Sequence, residues 1–341
     1  MKEQVLVTGG TGFMGLHIIF QLLKGGYRVK TTVRSLARKD EVLATLSRNG
    51  IQHLEELTFI EADLSSDEHW EEAMKGCSYV LSVASPVFFD IPKNEDEAIR
   101  PAVEGILRIL KAASKADVKR VVMTSNFGAI GFSNKDLNTV TTEKDWTDEF
   151  EKGLSIYEKS KLLAEKAAWD FVEKENELEL VTINPVAVFG PSLNRHVSES
   201  FNLLKMLINP NTKRIPNLPL NVVDVRDVAD LHIRAMTNPK AAMQRFIASS
   251  DGEISLLEIA QLIKRNRPEL ADQVVTKTVP NWQIKLASLF SKHAKEGRLF
   301  LEMNRQVSNS KAKELLEWQP ISTKEEAALL AVDSLEKNTD K

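Results

Sequence analysis

The stretch Thr8-Gly9-Gly10-Thr11-Gly12-Phe13-Met14-Gly15 decides the fold. It directly follows a short apolar run and opens a segment, Leu16–Lys24, whose apolar residues recur at helical spacing. Gly9 allows a tight turn, Gly12 lets the backbone approach a pyrophosphate, and Gly15 lets the helix pack close to the strand. The helix N-terminus adds N–H donors and a favourable dipole for an anion. We therefore expect a dinucleotide to bind at Gly9, Thr11, Gly12, Phe13, Met14 and Gly15.

The alternation of strand and helix continues beyond this glycine loop. Short apolar and β-branched runs predict strands at Gln4–Thr8, Arg28–Val33, Leu57–Ile60, Tyr79–Val83, Arg120–Thr124 and, after the helical pattern of Leu154–Lys174, at Glu179–Ile183. Other helices are expected over Leu36–Asn49, over Asp67–Lys75 and over a longer segment from about Asn94 to Lys115. Pro101 lies inside this longer segment, so the helix either starts or kinks there. This order predicts an α/β protein with a doubly wound parallel sheet, the Rossmann fold.

Beyond Pro185 the pattern is less regular. Val222–Val225 and Arg245–Ala248 are expected to return to the sheet, and helices are expected at Ser255–Arg265, Trp282–Lys295 and Ser310–Glu317. We predict a cofactor domain of residues 1–184 plus 222–250, a smaller, mostly C-terminal substrate-binding domain of 185–221 plus 251–335, and a frayed tail at 336–341. The active site is expected in the cleft between the two domains.

Composition excludes several classes of protein. The 341 residues carry 45 Lys and Arg against 48 Asp and Glu, so the chain lacks the basic field of nucleic-acid binders. The single cysteine, Cys77, rules out an intramolecular disulfide framework. With no signal-like or membrane-spanning apolar run, a cytoplasmic protein without a membrane partner is expected. The histidines lack metal-ligand spacing, so no metal is expected. The sequence leaves a monomer and a homodimer open.

The end of the second predicted strand indicates which dinucleotide is used. NAD sites usually place an Asp or Glu there to bind the ribose 2′-hydroxyl. Here the strand ends at Val33 and continues with Arg34, and Arg38 and Lys39 follow closely. These cations can pair with a 2′-phosphate, and arginine can do so with two hydrogen bonds. The sequence therefore predicts NADP(H).

Tyr157 and Lys161 are four residues apart on a predicted helix and so share one face. A nearby ammonium favours phenolate over phenol, so we expect it to lower the tyrosine pKa from about 10. Such a phenol is suited to general acid–base catalysis on a carbonyl–alcohol pair.

Further motifs occur in order along nearly the whole chain. They are Val7 to Gly12, Thr32-Val33-Arg34, Ala62-Asp63-Leu64, Val83-Ala84-Ser85-Pro86, Val121 to Ser125, Tyr157 to Lys161 with Ala164-Glu165, Asn184-Pro185 through Gly190-Pro191, and Val223 to Ala229. With them the sequence resembles the extended short-chain dehydrogenase/reductases. Within that superfamily it is similar to dihydroflavonol reductases, cinnamoyl-CoA reductases and their microbial aldehyde and ketone reductase relatives.

The resemblance implies roles for individual residues. Tyr157 would donate the proton to a carbonyl oxygen while NADPH delivers a hydride, and Lys161 would hold the nicotinamide ribose and tune Tyr157. The resemblance also implies that Asp63 and Leu64 lie at the adenine, Ala84 and Ser85 along the cofactor, and Pro185 and Val188 near the nicotinamide.

The sequence departs from the family at one catalytic position. The family usually has Thr-Ser-Ser at the end of the fifth strand, with the second serine hydrogen-bonded to the substrate oxygen. This chain has Thr124-Ser125-Asn126. An asparagine amide can still donate to a developing oxyanion, so we expect Asn126 to polarise the carbonyl, with Ser125 in reserve. The alternative is that Asn126 only caps the strand end.

Together these features predict an NADPH-dependent reductase that acts on a small-molecule aldehyde or ketone. Two alternatives remain open at this stage: a nucleotide-sugar epimerase or dehydratase of the same fold, and a non-catalytic regulator that senses NADP(H). Five phenylalanines are expected either in the substrate pocket or in the core: Phe88, Phe89, Phe127, Phe132 and Phe189.

Overall fold

The computed structural model describes residues 3–86, 94–175 and 177–339. The main sheet has seven strands, all parallel: β1 (Gln4–Val7), β2 (Arg28–Val33), β3 (Leu57–Glu61), β4 (Tyr79–Ser82), β5 (Arg120–Thr124), β6 (Glu179–Pro185) and, later in the chain, β11 (Gln244–Ala248). Their spatial order is β11-β6-β5-β4-β1-β2-β3. The order reverses between β1 and β4, where doubly wound sheets bind dinucleotides. The predicted fold class is confirmed.

Helices follow most of these strands. The described residues form α1 (Phe13–Lys24), α2 (Lys39–Arg48), α3 (Trp70–Met74), α4 (Glu95–Lys115), α5 (Ile156–Val172), α6 (Phe201–Ile208), α7 (Val225–Thr237), α8 (Leu256–Asn266), α9 (Asn281–Ala287), α10 (Lys292–Glu302), α11 (Ser310–Leu316) and α12 (Lys324–Thr339). The side chain of Asn94 caps α4 by accepting the Asp96 N–H, so Pro101 lies inside the helix and not at its start. Within the described ranges, no helix is both long and apolar enough to cross a membrane.

The sheet is buried on both faces, because successive strand residues point to opposite sides. Val5, Val7 and Leu81 belong to one apolar cluster, which α1 and α7 cover. Leu6 and Val80 belong to the other, which α3, α4 and α5 cover. Burying a side chain of this size contributes roughly 1.5–3 kcal/mol to stability. The two clusters therefore pack the helices onto both faces of the sheet.

Short strand pairs continue the chain beyond the main sheet. They are β7 (Ala187–Phe189) with β10 (Val222–Asp224), β8 (Ile215–Pro216) with β13 (Thr278–Val279), and β9 (Pro219–Leu220) with β12 (Ile254–Ser255). The expectation that 222–225 returns to the main sheet is therefore wrong. A short, mostly apolar run predicts a strand but does not select its partner, and here the partner is β7.

The C-terminal region differs from the prediction in two places. The single helix expected at 282–295 is two helices, because the Ser291 side chain accepts the Ala294 N–H and starts α10 anew. Helix α12 was not predicted, and it continues to Thr339 through most of the segment expected to fray. It is tied down by buried apolar residues, including Ala331 and Val332.

Candidate active site

The glycine loop has the tight turn that a dinucleotide site requires. Gly9 has a φ of 76°, a left-handed conformation that glycine adopts without strain. The Gly12 N–H donates to Gly9 O at 3.0 Å, which closes the turn. A Cβ atom at Gly15 would lie only 2.4 Å from Gly9 O, so the close approach of α1 to the loop depends on that glycine. These distances support the structural roles expected for Gly9 and Gly15.

The start of α1 is open to an anion. Gly12 is the N-cap residue and has no side chain to cap the first-turn N–H groups, beginning with Phe13, and no acidic residue occurs in that turn. Thr11 lies in the loop just before it. Met14 Sδ lies 3.9 Å from Thr124 Oγ1, so the start of α1 reaches the carboxyl end of β5. The helix dipole and free N–H groups suit a pyrophosphate here.

The three cations after β2 have different environments. Arg34 lies close to Asp63: hydrogen bonds from Ser65 lower the pKa of the Asp63 carboxyl, and the charge of Arg34 lowers it further. Arg38 is engaged elsewhere, because its Nε donates to Glu41 at 2.6 Å and its Nη2 contacts His196. Lys39 lies over the ring of Phe59. Arg38 and Lys39 are therefore engaged in a hydrogen bond or a ring contact. Among the described residues, the Arg34 side chain has neither.

Several residues that the family resemblance indicated meet at one cavity. Its lining includes Leu64, Ala84, Ser85, Thr124 and Lys161, which come from four different parts of the chain. The backbone places Ala84 next to the glycine loop, because its N–H donates to the Thr8 hydroxyl at 2.9 Å. Ala84 therefore contacts the glycine loop and lines the same cavity as Lys161.

Pro185 and Val188 lie at the same edge of the sheet. Pro185 ends β6 and is paired with Ala248 of β11, and Val188 is buried in β7. The Val188 carbonyl accepts a hydrogen bond from Ser198 at 2.8 Å, which brings the segment before α6 to this edge.

Tyr157 and Lys161 lie one turn apart on α5, with Lys161 Nζ 5.8 Å from the centroid of the tyrosine ring. Burial raises the pKa of Tyr157 far above its usual value, and the nearby Glu199 and Glu158 carboxylates raise it further. The pKa of Tyr157 is therefore raised and not lowered as expected, because the phenol loses its contact with water and lies near two carboxylates. Burial also lowers the pKa of Lys161 to about 8, against the opposing effect of Glu199.

Ser125 and Asn126 have different hydrogen-bond partners. The Ser125 hydroxyl is buried and donates to Glu165 Oε2 at 2.5 Å. Asn126 Oδ1 accepts the Ala129 N–H at 3.2 Å and so caps the short 3₁₀ turn of Phe127–Ala129. The capping interpretation is thus correct for the amide oxygen. Capping uses only the amide oxygen, and the amide nitrogen Nδ2 has no hydrogen-bond partner among the described residues.

The structure adds residues that sequence reasoning missed. His232 Nδ1 donates to Val228 O, so its Nε2 accepts the Thr124 hydroxyl at 2.7 Å. Burial lowers the pKa of His232 to about 4, so the ring is neutral. Glu158 places its Oε2 atom in a buried position without a hydrogen-bond partner in the described chain. His232 lies over 100 residues from Thr124 in the sequence and carries no local signal, whereas Glu158 directly follows Tyr157.

Three of the five phenylalanines are core residues. Phe127, Phe132 and Phe189 are buried in the larger apolar cluster. Phe88 and Phe89 lie outside the described residues.

Comparison with known proteins places the chain in a family. The model of the 3-beta hydroxysteroid dehydrogenase/isomerase family matches residues 6–250. Anthocyanidin reductase ((2S)-flavan-3-ol-forming) of Vitis vinifera is 34% identical over 283 residues, which cover 79% of this chain and 82% of the relative. Dihydroflavonol 4-reductase of Arabidopsis thaliana is 36% identical over 278 residues, which cover 79% of this chain and 70% of the relative.

A solved structure agrees over the whole length. That of yeast methylglyoxal/isovaleraldehyde reductase Gre2 complexed with NADPH has a TM-score of 0.80 and 28% identity, covering 99% of this chain and 100% of the other. The match therefore spans both the main sheet and the later strand pairs. The resemblance inferred from the motifs is confirmed: the chain belongs to the 3-beta hydroxysteroid dehydrogenase/isomerase family, among the extended short-chain dehydrogenase/reductases.

Proposed function

We propose that the chain reduces aldehydes or ketones with NADPH, using Tyr157 as the proton donor. The observation that carries the proposal is the position of Lys161, one turn from Tyr157, in the cavity that Ala84 and Ser85 also line. The chain is an NADP-dependent oxidoreductase, as the NADPH complex of its Gre2 neighbour and its reductase relatives support. The substrate cleft would lie between residues 1–184 plus 222–250 and residues 185–221 plus 251–335.

The residues present fit a dinucleotide. The turn at Gly9 and the uncapped N–H groups at the start of α1 suit the pyrophosphate, and Arg34 suits the 2′-phosphate. We assign the cofactor site to Gly9, Thr11, Gly12, Phe13, Met14, Gly15, Arg34, Asp63, Leu64, Ala84, Ser85, Tyr157, Lys161, Pro185 and Val188. Arg38 and Lys39 contribute positive charge at the site's edge but are held by Glu41 and Phe59.

Bound NADPH supplies the hydride that reduces the carbonyl carbon. Tyr157 keeps its proton at neutral pH because burial raises its pKa, so it has a proton to donate as charge develops on the carbonyl oxygen. Lys161 is mostly protonated at neutral pH, since its pKa is about 8, and its positive charge stabilises the phenolate that remains.

Asn126 is the proposed polariser of the substrate oxygen. Its Oδ1 is fixed by the Ala129 N–H, and this bond orients the amide so that Nδ2 can serve as a donor. Ser125 is the weaker candidate, because its hydroxyl proton is directed at Glu165 and away from the cleft. A fixed donor of this kind stabilises an oxyanion without reorganising during the reaction.

NADPH consumption over a panel of aldehydes, diketones and ketoesters tests the proposal. We expect turnover of at least one compound, and a loss of roughly 100-fold or more in kcat for Tyr157→Phe, because the proton donor is removed. Tyr27→Phe, in the turn before β2, is the matched control and should keep wild-type turnover.

Three results would contradict the proposal. One is a Tyr157→Phe variant with wild-type turnover. Another is isomerisation of a nucleotide sugar without net NADPH loss, which would indicate an epimerase. The last is tight NADPH binding with no carbonyl compound reduced, which would indicate a sensor.

A further inference from the structure

Helix α5 carries a third polar residue in line with the two proposed for catalysis. Tyr157, Lys161 and Glu165 are spaced by four, so they form one stripe along the helix. Glu165 is fully buried, with an exposed fraction of 0%. A carboxylate without water is costly unless its oxygens accept hydrogen bonds or meet a positive charge, so its partners explain why it is retained.

Glu165 accepts hydrogen bonds from four structural elements. The donors are Ser125 Oγ at 2.5 Å, Asn184 Nδ2 at 2.6 Å, Thr182 Oγ1 at 3.0 Å, Arg245 Nε at 2.8 Å and Trp169 Nε1 at 3.4 Å. They belong to the segment after β5, to β6, to β11 and to α5 itself. One carboxylate therefore connects the helix of Tyr157 to β6, to β11 and to the segment that follows β5.

Arg245 completes the charge balance and extends the connection. Its Nη1 donates to Glu143 O at 2.9 Å and to Asp145 O at 2.8 Å, and its guanidinium stacks over Trp146 at 3.7 Å from the ring centroid. Glu143 is itself buried and accepts the N–H of Ile247 in β11. The backbone of Glu143 and Asp145 is therefore held against β11.

The same contacts fix the backbone on both sides of Asn126. On one side Ser125 is bound to Glu165 directly. On the other, Asn184 Nδ2 donates both to Glu165 and to the Asn126 carbonyl oxygen at 3.1 Å. Asn126 itself does not touch Glu165 in the contacts of the described chain. The carboxylate therefore acts on Asn126 only through Ser125 and Asn184.

We propose that Glu165 is a positioning residue for carbonyl reduction, which holds the Asn126 amide in register with Tyr157 through Ser125 and Asn184. This inference rests on the proposed function. Because Glu165 is on the helix that carries Tyr157 and Lys161, the proton donor and the oxyanion donor are set relative to each other by one group. Misplacement by about 1 Å can cost a hundredfold in rate, so such a connection bears on turnover.

The first test is Glu165→Gln, which keeps the shape of the side chain. It replaces one carboxylate oxygen, a hydrogen-bond acceptor, with an amide NH₂ group, a donor that would face other donors. Glu179→Gln is the matched control, because Glu179 also pairs with a buried arginine, Arg120, at 2.7 Å. That pair joins the amino ends of β5 and β6 and so lies away from Asn126, which follows the carboxyl end of β5. We expect kcat to fall roughly tenfold or more in Glu165→Gln only, with little change in NADPH affinity measured by fluorescence titration.

A double-mutant cycle with Asn126→Ala separates positioning from a general loss of stability. If Glu165 acts through Asn126, Glu165→Gln lowers kcat much less in the Asn126→Ala background than in the wild type. Amide hydrogen exchange over residues 125–129 supplies a readout that needs no activity. It should accelerate in Glu165→Gln and stay unchanged in Glu179→Gln.

If Glu165→Gln does not fold, Asn184→Ala removes the Asn184 part of the connection and leaves the Ser125 contact and the Arg245 pair intact, so smaller effects in the same direction are expected. The inference is overturned if Glu165→Gln and Glu179→Gln lose kcat equally. It is also overturned if the fold-losses of kcat in Glu165→Gln and Asn126→Ala multiply in the double variant, as they do for independent effects. A wild-type chain that reduces no carbonyl compound contradicts the proposed function itself, and the positioning role falls with it.

Discussion

At the scale of single residues, Asn126 shows how one side chain can serve two purposes. Its amide oxygen caps a 3₁₀ turn, and its amide nitrogen is left as the proposed donor to the substrate. A serine hydroxyl would have to accept and donate through the same oxygen atom, whereas the asparagine amide assigns the two functions to two different atoms. The substitution relative to the family motif is therefore compatible with the same chemistry.

Two substitutions separate the functions of Asn126. Asn126→Asp keeps an oxygen for the Ala129 N–H but removes the N–H donor, so we expect near wild-type thermal stability with kcat about 100-fold lower. Asn126→Ala removes both, and should also lose about 1 kcal/mol of stability. Steady-state kinetics and thermal unfolding measure the two effects. Unchanged turnover in both variants would remove Asn126 from the mechanism.

At the scale of elements, the carboxyl end of β2 decides which phosphate the site can bind. Arg34 follows the strand directly, whereas Arg38 lies in a 3₁₀ turn where Glu41 and His196 hold its guanidinium. Proximity in sequence therefore overstates the number of free cations. Contacts with Glu41 and His196, which the residue types near β2 do not reveal, distinguish Arg38 from Arg34.

Arg34→Ala should consequently raise the KM for NADPH at least about tenfold and leave that for NADH nearly unchanged, since only NADPH has the 2′-phosphate. Arg38→Ala should have a smaller effect, because its side chain is already paired. Initial rates at varied NADPH and NADH measure this. Equal losses with both cofactors, or a wild type that uses them equally well, would contradict the NADPH preference.

At the scale of the whole molecule, folding assembles an acidic environment around Tyr157 from distant segments. Burial raises the pKa of Glu158 to about 7, and the charges of Glu296 on α10 and Glu199 before α6 raise it further. Above an ordinary carboxyl pKa of about 4.3, the unfolded chain holds Glu158 ionised while the folded chain still holds its proton. Stability from this group is therefore lost as pH rises from about 4.3 to 7.

Glu158→Gln should then be more stable than the wild type at pH 8, by on the order of 2 kcal/mol, and closer to it at pH 5. Denaturant unfolding at the two pH values measures the difference. Glu151→Gln, which removes a carboxylate already paired with Lys135, is the control and should show no such gain. A Glu158→Gln variant that is equally or less stable at pH 8 would show that the buried carboxylate is not penalised.

The local features of the fold could be predicted because neighbouring residues encode them. Apolar periodicity predicted the six strands β1 to β6, glycine spacing predicted the turn before α1, and the four-residue spacing placed Tyr157 and Lys161 on one helical face. Strand pairing can depend on residues that are far apart in the sequence, as it does for β10 and β7. There the same periodicity predicted a strand but the wrong partner.

By itself, the sequence determined a doubly wound sheet, its glycine loop and the residue types of the candidate site. Only the tertiary structure decided that the Ser125 proton goes to Glu165, that Arg38 is already paired, and that burial keeps Tyr157 protonated. The physical reason is range. Backbone geometry and periodicity act over a few residues, whereas burial and hydrogen-bond partners depend on groups such as Glu165 and Arg245, which lie 80 positions apart and meet only in the folded chain.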